Sequence, residues 1–241
     1  MAETWILVPP GSIAPGRMVI DGEEAAHLVR VRRRPRGSAV VVIDGAGARG
    51  AGTVVEIGRQ HAVVEIVSVD RESSPPGPGV TLAMAVLHGA AMDVVVHQAV
   101  ELGACRLIPL ILGRAQRSAE AVRRRQDHWQ RISRQALKQC RRVYGIELAA
   151  PRALSELIAE RGEQRGTVAD PAGGAASTLA ASQTELLLVG PEGGLDPDEE
   201  RALDRAAWPR LGLGRHILRA ETAAAVGLSV LTRERQRRGL P

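Results

Sequence analysis

The chain has 241 residues, of which 44% are hydrophobic and 24% charged, and its formal net charge is +5. These proportions exclude a fibrous or globally disordered protein. Its two cysteines are too few for a disulfide scaffold and lack metal-ligand spacing, and neither a signal peptide nor a membrane span of about 18 apolar residues is apparent. We therefore expect a cytoplasmic protein without a bound metal, whose positive charge favours an acidic partner.

The first third of the chain contains short β-branched runs separated by glycine-rich turns. They predict strands at residues 6–8, 18–20, 40–43, 53–57 and 62–67. One helix interrupts them, beginning at Asp21 with Glu24 in a capping-box position, and it leads into a cluster of arginines between residues 30 and 36. The pattern predicts a small β-barrel with a local basic patch.

Prolines and glycines dominate residues 73–79, where they disfavour both helices and strands and predict a linker. We expect one domain at residues 1–72 and a second at residues 80–241. In the second, strands predicted at 80–87, 106–112, 166–169, 186–189 and 210–213 alternate with helices, among them 92–102 and three that begin near 153, 196 and 222. This alternation predicts an α/β domain with a mainly parallel sheet covered on both faces.

A basic segment between Arg114 and Arg142 carries ten basic side chains against two acidic ones. We expect a long helix here, because apolar residues recur at steps of three or four, with one gap of seven, and define a buried stripe. The remaining surface lacks the acidic partners that usually neutralise such a helix, so it predicts a phosphate-binding face. The residues of the stripe are Val122, Trp129, Ile132, Ala136, Cys140 and Val143.

A glycine-rich loop at residues 189–195 follows a buried strand and precedes a helix that starts at Asp196. Parallel α/β sheets bind ligands beyond the carboxyl ends of their strands. The loop has no Lys, Ser or Thr at the spacing of a phosphate-binding loop, and it places Glu192 where an anion would lie. A neutral or cationic ligand is therefore favoured over phosphate.

A second loop, at residues 211–223, also lies between a strand and a helix. Its apolar residues Leu213, Ile217 and Leu218 predict a slot of the kind that an adenine ring requires, with glycine amides available for hydrogen bonds. A plain structural turn would seldom need the polar side chains that crowd beside them.

Gly-Pro-Glu-Gly-Gly at 190–194 and Leu-Gly-x-x-Ile-Leu-Arg-x-Glu-Thr-Ala at 213–223 resemble the C-terminal signature of the RsmE-type ribosomal RNA uracil-N3 methyltransferases, in the SPOUT superfamily. The similarity continues at residues 27–33, 43–45, 92–93, 98, 101–103, 109–110 and 139–142. The resemblance implies a PUA-like barrel that helps to hold RNA, and an α/β domain whose C-terminal segment threads a trefoil knot. It also implies S-adenosyl-L-methionine as the cofactor and a homodimer. The implied substrate is small-subunit ribosomal RNA, and the implied role is in ribosome biogenesis.

The resemblance also assigns the candidate cofactor-binding residues by position. The cofactor is expected to contact Asp170, Val189, Gly190, Pro191, Glu192, Gly193, Leu213, Gly214, Ile217, Leu218 and Thr222. RNA is expected to contact Arg30, Arg32, Arg33, Arg34, Arg131, Arg134, Lys138, Arg142 and His216.

Methyl transfer to N3 of uracil defines the catalytic candidates. The reaction is an in-line displacement that requires alignment of donor and acceptor and exclusion of water. The imide N3 must lose its proton, so a nearby cation that stabilises the resulting oxyanion, or a base, would help. We expect Arg219 in the first role and Glu221 in the second. The base must also be unpaired or flipped out, because N3 lies on its pairing edge.

Several residues depart from the family pattern, and most of them lie at candidate substrate positions. They leave open a divergent N-methyltransferase that acts on another RNA or on a small nucleobase-like molecule. A non-catalytic RNA-binding assembly factor is a further alternative. The departing residues are Thr4, Ala91, Ala99, Lys138, Ile146 and His216.

Overall fold

The structure is a computed structural model that describes residues 3–26, 28, 35–72, 79–115, 118–161, 166–174 and 186–237. It divides into two compact units. One unit spans Met1–Pro75 together with Leu137–Gly145, and the other spans Pro76–Ala136 together with Ile146–Pro241. The domain limits drawn from the sequence, with residues 73–79 as a linker, remain a prediction.

The N-terminal unit is built on a five-stranded sheet in the order β1-β3-β4-β5-β2. Strands β1 and β3 are parallel and the other pairs are antiparallel. The β-branched runs form strands as predicted, because their alternate side chains enter one apolar core that includes Ile6, Val42 and Val64. The elements are β1 (Thr4–Leu7), β2 (Gly16–Ile20), α1 (Gly22–Ala26), β3 (Ala39–Ile43), β4 (Ala48–Ile57) and β5 (Ala62–Arg71).

The turn after β3 anchors residues 137–145 to this unit. Asp44 is buried and accepts hydrogen bonds from the amides of Gly11, Ala46 and Ala48, which hold the turn in place. Burial alone would raise the pKa of Asp44, but these amides and Arg71 keep it below its usual range. The backbones of 45–47 and 143–145 are joined by two hydrogen bonds, of 2.9 and 3.0 Å.

In the second unit, seven of the described strands form a parallel sheet in the order β12-β10-β11-β6-β7-β8, with β9 also paired to β7. The predicted parallel sheet is confirmed. The strands are β6 (Thr81–Ala85), β7 (Arg106–Ile111), β8 (Glu147–Leu148), β9 (Arg152–Ala153), β10 (Thr167–Gly174), β11 (Leu186–Val189) and β12 (Arg210–Leu211). The helices are α2 (Ala91–Glu101), α3 (Ala119–Arg123), α4 (Gln126–Cys140), α5 (Leu154–Arg161), α6 (Pro197–Arg205) and α7 (Ala220–Arg237).

Helices cover both faces of this sheet, and β11 shows why. Its residues alternate: Leu186 and Leu188 join a core with α5, α6 and Trp208, whereas Leu187 points to the opposite face, toward α7. Helix α7 lies close to the strand because Gly227 has no side chain, and a Cβ there would lie 2.6 Å from a methyl group of Leu187.

The long helix predicted after β7 is broken into α3 and α4. Ser118 caps α3 by accepting a hydrogen bond from the amide of Ala121, and the helix ends at Arg123. The chain then turns at Arg124 and Arg125, and α4 begins at Gln126. Of the predicted stripe, Val122, Trp129 and Ala136 are fully buried, while Ile132, Cys140 and Val143 are half-buried.

None of the helices that the structure describes is long and apolar enough to cross a membrane. Across those same residues, His, Cys, Asp and Glu side chains form no group of three that could hold a metal ion.

Candidate functional site

A cleft of about 470 Å³ opens where the carboxyl ends of β10, β11 and β12 meet. Its volume is in the range of sites that hold a cofactor-sized molecule. The cleft brings together nine of the residues predicted to bind the cofactor: Asp170, Val189, Gly190, Pro191, Glu192, Leu213, Gly214, Ile217 and Leu218. Gly193 and Thr222 do not line it, whereas His216 and Arg219 do.

The glycine-rich turn after β11 forms the first wall of the cleft. Gly194 has φ +71°, a left-handed conformation that favours glycine, and its amide donates to the carbonyl oxygen of Pro191 at 2.9 Å. Helix α6 starts immediately afterwards with a capping box, in which Asp196 accepts from the amides of Asp198 and Glu199. A buried strand thus passes into a tight turn and then into a capped helix.

Residues just after β7 hold this turn from outside the cleft. Arg114 Nη1 donates to the carbonyl oxygen of Gly193 at 2.7 Å. The neighbouring amide of Gly113 donates to Glu199 Oε1 at 2.8 Å, and the other oxygen of Glu199 accepts from the amide of Asp196. Gly193 therefore faces Arg114, and its contact with the cofactor remains a prediction.

The second loop forms the opposite wall and starts from an unusually close contact of two backbones. The amide of Gly212 donates to the carbonyl oxygen of Gly174 at 2.8 Å, and a Cβ on Gly173 would lie 2.5 Å from the nitrogen of Gly212. From here the loop runs along the cleft to α7. Ile217 is 86% exposed, which is unusual for a large apolar side chain and leaves it available to an apolar ligand surface.

A network around Arg210 forms part of the cleft and was not predicted from the sequence. Arg210 donates to Glu200 Oε2 at 2.7 Å and to Asp204 Oδ1 at 2.8 Å, and it lies 3.5 Å from Asp170 Oδ2. Burial lowers the pKa of Arg210, but the hydrogen bonds to Asp204 and Glu200 outweigh this and raise it. Asp170, Glu200 and Arg210 all line the cleft, so this wall carries an excess of negative charge.

The two catalytic candidates lie at the start of α7. The Arg219 side chain is 86% exposed and its Nη1 is 4.0 Å from Glu221 Oε1, so no close ion pair with a described residue restrains it. Arg219 lines the cleft, whereas Glu221 is largely buried and does not. The guanidinium of Arg219, and not the carboxylate of Glu221, therefore belongs to the cleft lining.

Apart from His216, which lines the cleft, the predicted RNA-binding residues divide into three groups. Arg30, Arg32, Arg33 and Arg34 lie outside the described residues. Arg131 and Arg134 are exposed on α4, and Arg142 is half-buried. Lys138 is only 19% exposed, and its Nζ donates to Glu24 Oε1 at 2.5 Å within the N-terminal unit. That contact, which neutralises the charge of Lys138, joins residues far apart in the chain and was not predicted.

A second unpredicted cluster fixes the beginning of α4 against α2. Asp93 accepts hydrogen bonds from Arg125 at 2.9 Å, His128 at 2.8 Å and Trp129 at 3.1 Å. Burial raises the pKa of Asp93, but the bond and charge of His128, together with Arg125 and Trp129, bring it below its ordinary value. The Met92-Asp93 pair in the sequence resemblance was the signal available for this site.

Comparison with known proteins shows the class of protein to which this chain belongs. A family model described as an RNA methyltransferase domain matches residues 75–232, and one described as an RNA methyltransferase PUA domain matches residues 20–67. A methyltransferase from Legionella pneumophila, whose structure was solved in complex with the bound cofactor SAM, has 28% sequence identity and a TM-score of 0.87, over 97% of this chain and 98% of that one. Fold and cleft together define an RNA methyltransferase with an N-terminal PUA domain.

Curated relatives narrow the class to one family. The ribosomal RNA small subunit methyltransferase E of Mycobacterium bovis is 31% identical over 88% of this chain and 85% of its own length. The protein of the same name from Aquifex aeolicus is 32% identical over 69% of this chain and 73% of its own length. The chain therefore belongs to the family of the ribosomal RNA small subunit methyltransferase E proteins, as its two glycine-rich loops predicted.

Proposed function

We propose that this protein transfers a methyl group from S-adenosyl-L-methionine to N3 of a uridine in small-subunit ribosomal RNA. The observation that carries the proposal is that both glycine-rich loops and Arg219 line one and the same cleft. We also propose that the protein is a cytoplasmic homodimer and that its C-terminal segment forms a trefoil knot.

The residues of the cleft fit the methyl donor. Leu213, Ile217 and Leu218 offer apolar surface for an adenine ring, and the adjacent backbone offers amides and carbonyls for its polar edge. Asp170, Glu192 and Glu200 line the cleft together with Arg210 and Arg219, and the resulting excess of one negative charge suits a ligand with a sulfonium and an ammonium group. When bound, the donor supplies the electrophilic methyl group, so the protein needs to supply only binding, orientation and electrostatics.

Arg219 is the residue proposed to act on the acceptor. Loss of the N3 proton places negative charge on the uracil oxygens, and a guanidinium within reach stabilises that charge. Arg219 is suited to this role because it lines the cleft and is not tightly paired. Glu221, 4.0 Å away, is proposed as the group that orients Arg219 or takes up the proton.

The RNA would be held outside the cleft by basic side chains. On the described part of α4, Arg131 and Arg134 are exposed and available to phosphates. Lys138 is proposed to have a structural role instead, because its charge is satisfied by Glu24. The arginines at positions 30 and 32–34 remain proposed RNA contacts.

Nucleoside mass spectrometry of small-subunit ribosomal RNA tests the proposal. RNA should be compared from the parent strain, a deletion strain, and the deletion strain complemented with the wild-type gene or with Arg219→Ala. We expect 3-methyluridine in the parent, its loss on deletion, and its return only with the wild-type gene. Loss of a different methylated nucleoside would show that the enzyme methylates another acceptor. Unchanged methylation in RNA of the deletion strain would show that the protein does not methylate this RNA.

A further inference from the structure

The centre of the turn at residues 190–195 has little restraint from its own side chains: residues 192–194 are exposed, whereas Pro191 is buried and Leu195 packs against the core. Three of its residues are glycines, and its internal restraint is the bond from the amide of Gly194 to Pro191. A glycine-rich segment loses much conformational entropy when it is ordered. A binding loop of this composition therefore loses that entropy either when the ligand binds or beforehand, if contacts with residues outside the loop hold it in shape.

Arg114 supplies the external restraint. Its guanidinium bond to the Gly193 carbonyl fixes the orientation of one peptide group in the middle of the turn. On one side of that peptide Glu192 lines the cleft, and on the other Gly194 turns the chain back with a positive φ. If the Gly193 carbonyl rotated away from Arg114, the chain that follows Glu192 would lose this restraint, and Glu192 would no longer be held in one direction from that side.

The backbone next to Arg114 is itself fixed. The Gly113 amide is held by Glu199, and Gly113 has no room for a Cβ because one would fall on a carboxylate oxygen of Asp196. Arg114 therefore extends from a base that is tied to the capping box of α6, and that helix follows directly from the turn that Arg114 holds. The two contacts thus fix the middle of the turn and the start of the helix that follows it.

We propose that Arg114 is a positioning residue for the methyl donor: it keeps the 190–195 turn, and Glu192 with it, in the binding conformation before the donor arrives. This inference rests on the proposed function, because it takes S-adenosyl-L-methionine as the ligand of the cleft. Arg114 lies outside the cleft lining and is not proposed to touch the donor.

Calorimetry of the full chain with S-adenosyl-L-methionine tests the proposal on wild type, Arg114→Ala, Arg114→Lys and Arg123→Ala. Arg123 is a matched control, since it is an exposed arginine on the helix that follows. We expect Arg114→Ala to weaken donor affinity by about five- to tenfold, the loss of one charge-assisted hydrogen bond. Arg114→Lys keeps one donor group and should stay within about twofold of wild type, as should Arg123→Ala.

Two further readouts separate positioning from general structural damage. Hydrogen exchange at the amides of residues 193–195 should accelerate in Arg114→Ala and not in Arg123→Ala. Turnover at saturating donor should remain close to wild type in Arg114→Ala. Unchanged affinity and exchange in Arg114→Ala would overturn the proposal, as would equal losses in Arg114→Ala and Arg114→Lys. A wild-type protein that binds no donor would instead reject the proposed function itself.

Discussion

Gly173 and Gly212 pack backbone against backbone at the ends of β10 and β12. A Cβ on Gly212 would fall on the carbonyl oxygen of Gly173, and one on Gly173 would crowd the nitrogen of Gly212. Because neither atom is part of a flexible side chain, the strands cannot yield without moving apart. This contact sets the starting point of the second loop, whose next residue, Leu213, lines the cleft.

Gly212→Ala should therefore damage both the fold and the site. We expect a loss of about 1–3 kcal/mol in stability, the usual cost of overpacking, together with weaker donor binding because Leu213 is displaced. Urea unfolding and calorimetry measure the two effects. Gly145→Ala is the control, since a Cβ there would make only an ordinary contact, 3.6 Å from the oxygen of Gly45. Similar results for the two variants would show that the Gly173 contact is not tight.

Asp93 gives the fold an acid-sensitive contribution. Because its pKa is lowered in the folded state, the carboxylate stabilises the protein above the pKa of the unfolded chain, and this is lost as the pH falls through the folded pKa. We expect Asp93→Asn to lower stability by about 1–3 kcal/mol at pH 7, with the difference from wild type shrinking below about pH 4. Urea unfolding from pH 7 down to pH 3 measures it. The exposed Asp127 provides the control variant, Asp127→Asn, and an equal effect there would argue against a specific role.

Arg210 keeps three carboxylates together, and its removal should leave them in mutual repulsion. We expect Arg210→Gln to lower stability by about 1–3 kcal/mol and to weaken donor binding, with part of the loss recovered in high salt because repulsion is screened. Arg106→Gln is a suitable comparison, since Arg106 is similarly buried but pairs with one carboxylate, that of Glu147. A loss in Arg210→Gln that is independent of salt would contradict the electrostatic explanation.

The elements and the cleft were predictable to the extent that they depend on local sequence. Buried strands such as β11 are marked by continuous apolar runs, and tight turns by glycine, so both loops and most of the cleft lining were found. The Arg210 network, the Asp93 cluster and the Lys138–Glu24 pair were not found. Each of these contacts joins side chains from separate helices or strands. Whether such side chains come together depends on tertiary packing, which the charge pattern along one helix does not reveal.

Arg219→Ala should separate chemistry from binding. If Arg219 stabilises charge on the acceptor, turnover should fall by about 100- to 1,000-fold while donor affinity changes little. Methylation of small-subunit RNA at saturating donor and calorimetry with the donor measure the two quantities. Arg215→Ala, an exposed arginine of the same loop, should retain near-normal turnover. Parallel losses of turnover and donor affinity in Arg219→Ala would instead assign it a structural role in the loop.

Arg131 and Arg134 provide the test of the RNA surface. If both contact phosphates, the double variant Arg131→Ala/Arg134→Ala should bind RNA more weakly at low salt and release fewer counterions. For single-stranded RNA the slope of log affinity against log salt concentration should become shallower by about 1.4, or about 0.7 for each phosphate contact. Donor affinity should not change, because neither residue lines the cleft. Arg201→Ala removes an exposed arginine from α6, where Asp198 neutralises it, and should leave the slope as in wild type. A double variant with an unchanged slope would place the RNA on another surface of the protein, because a phosphate contact cannot be lost without a change in counterion release.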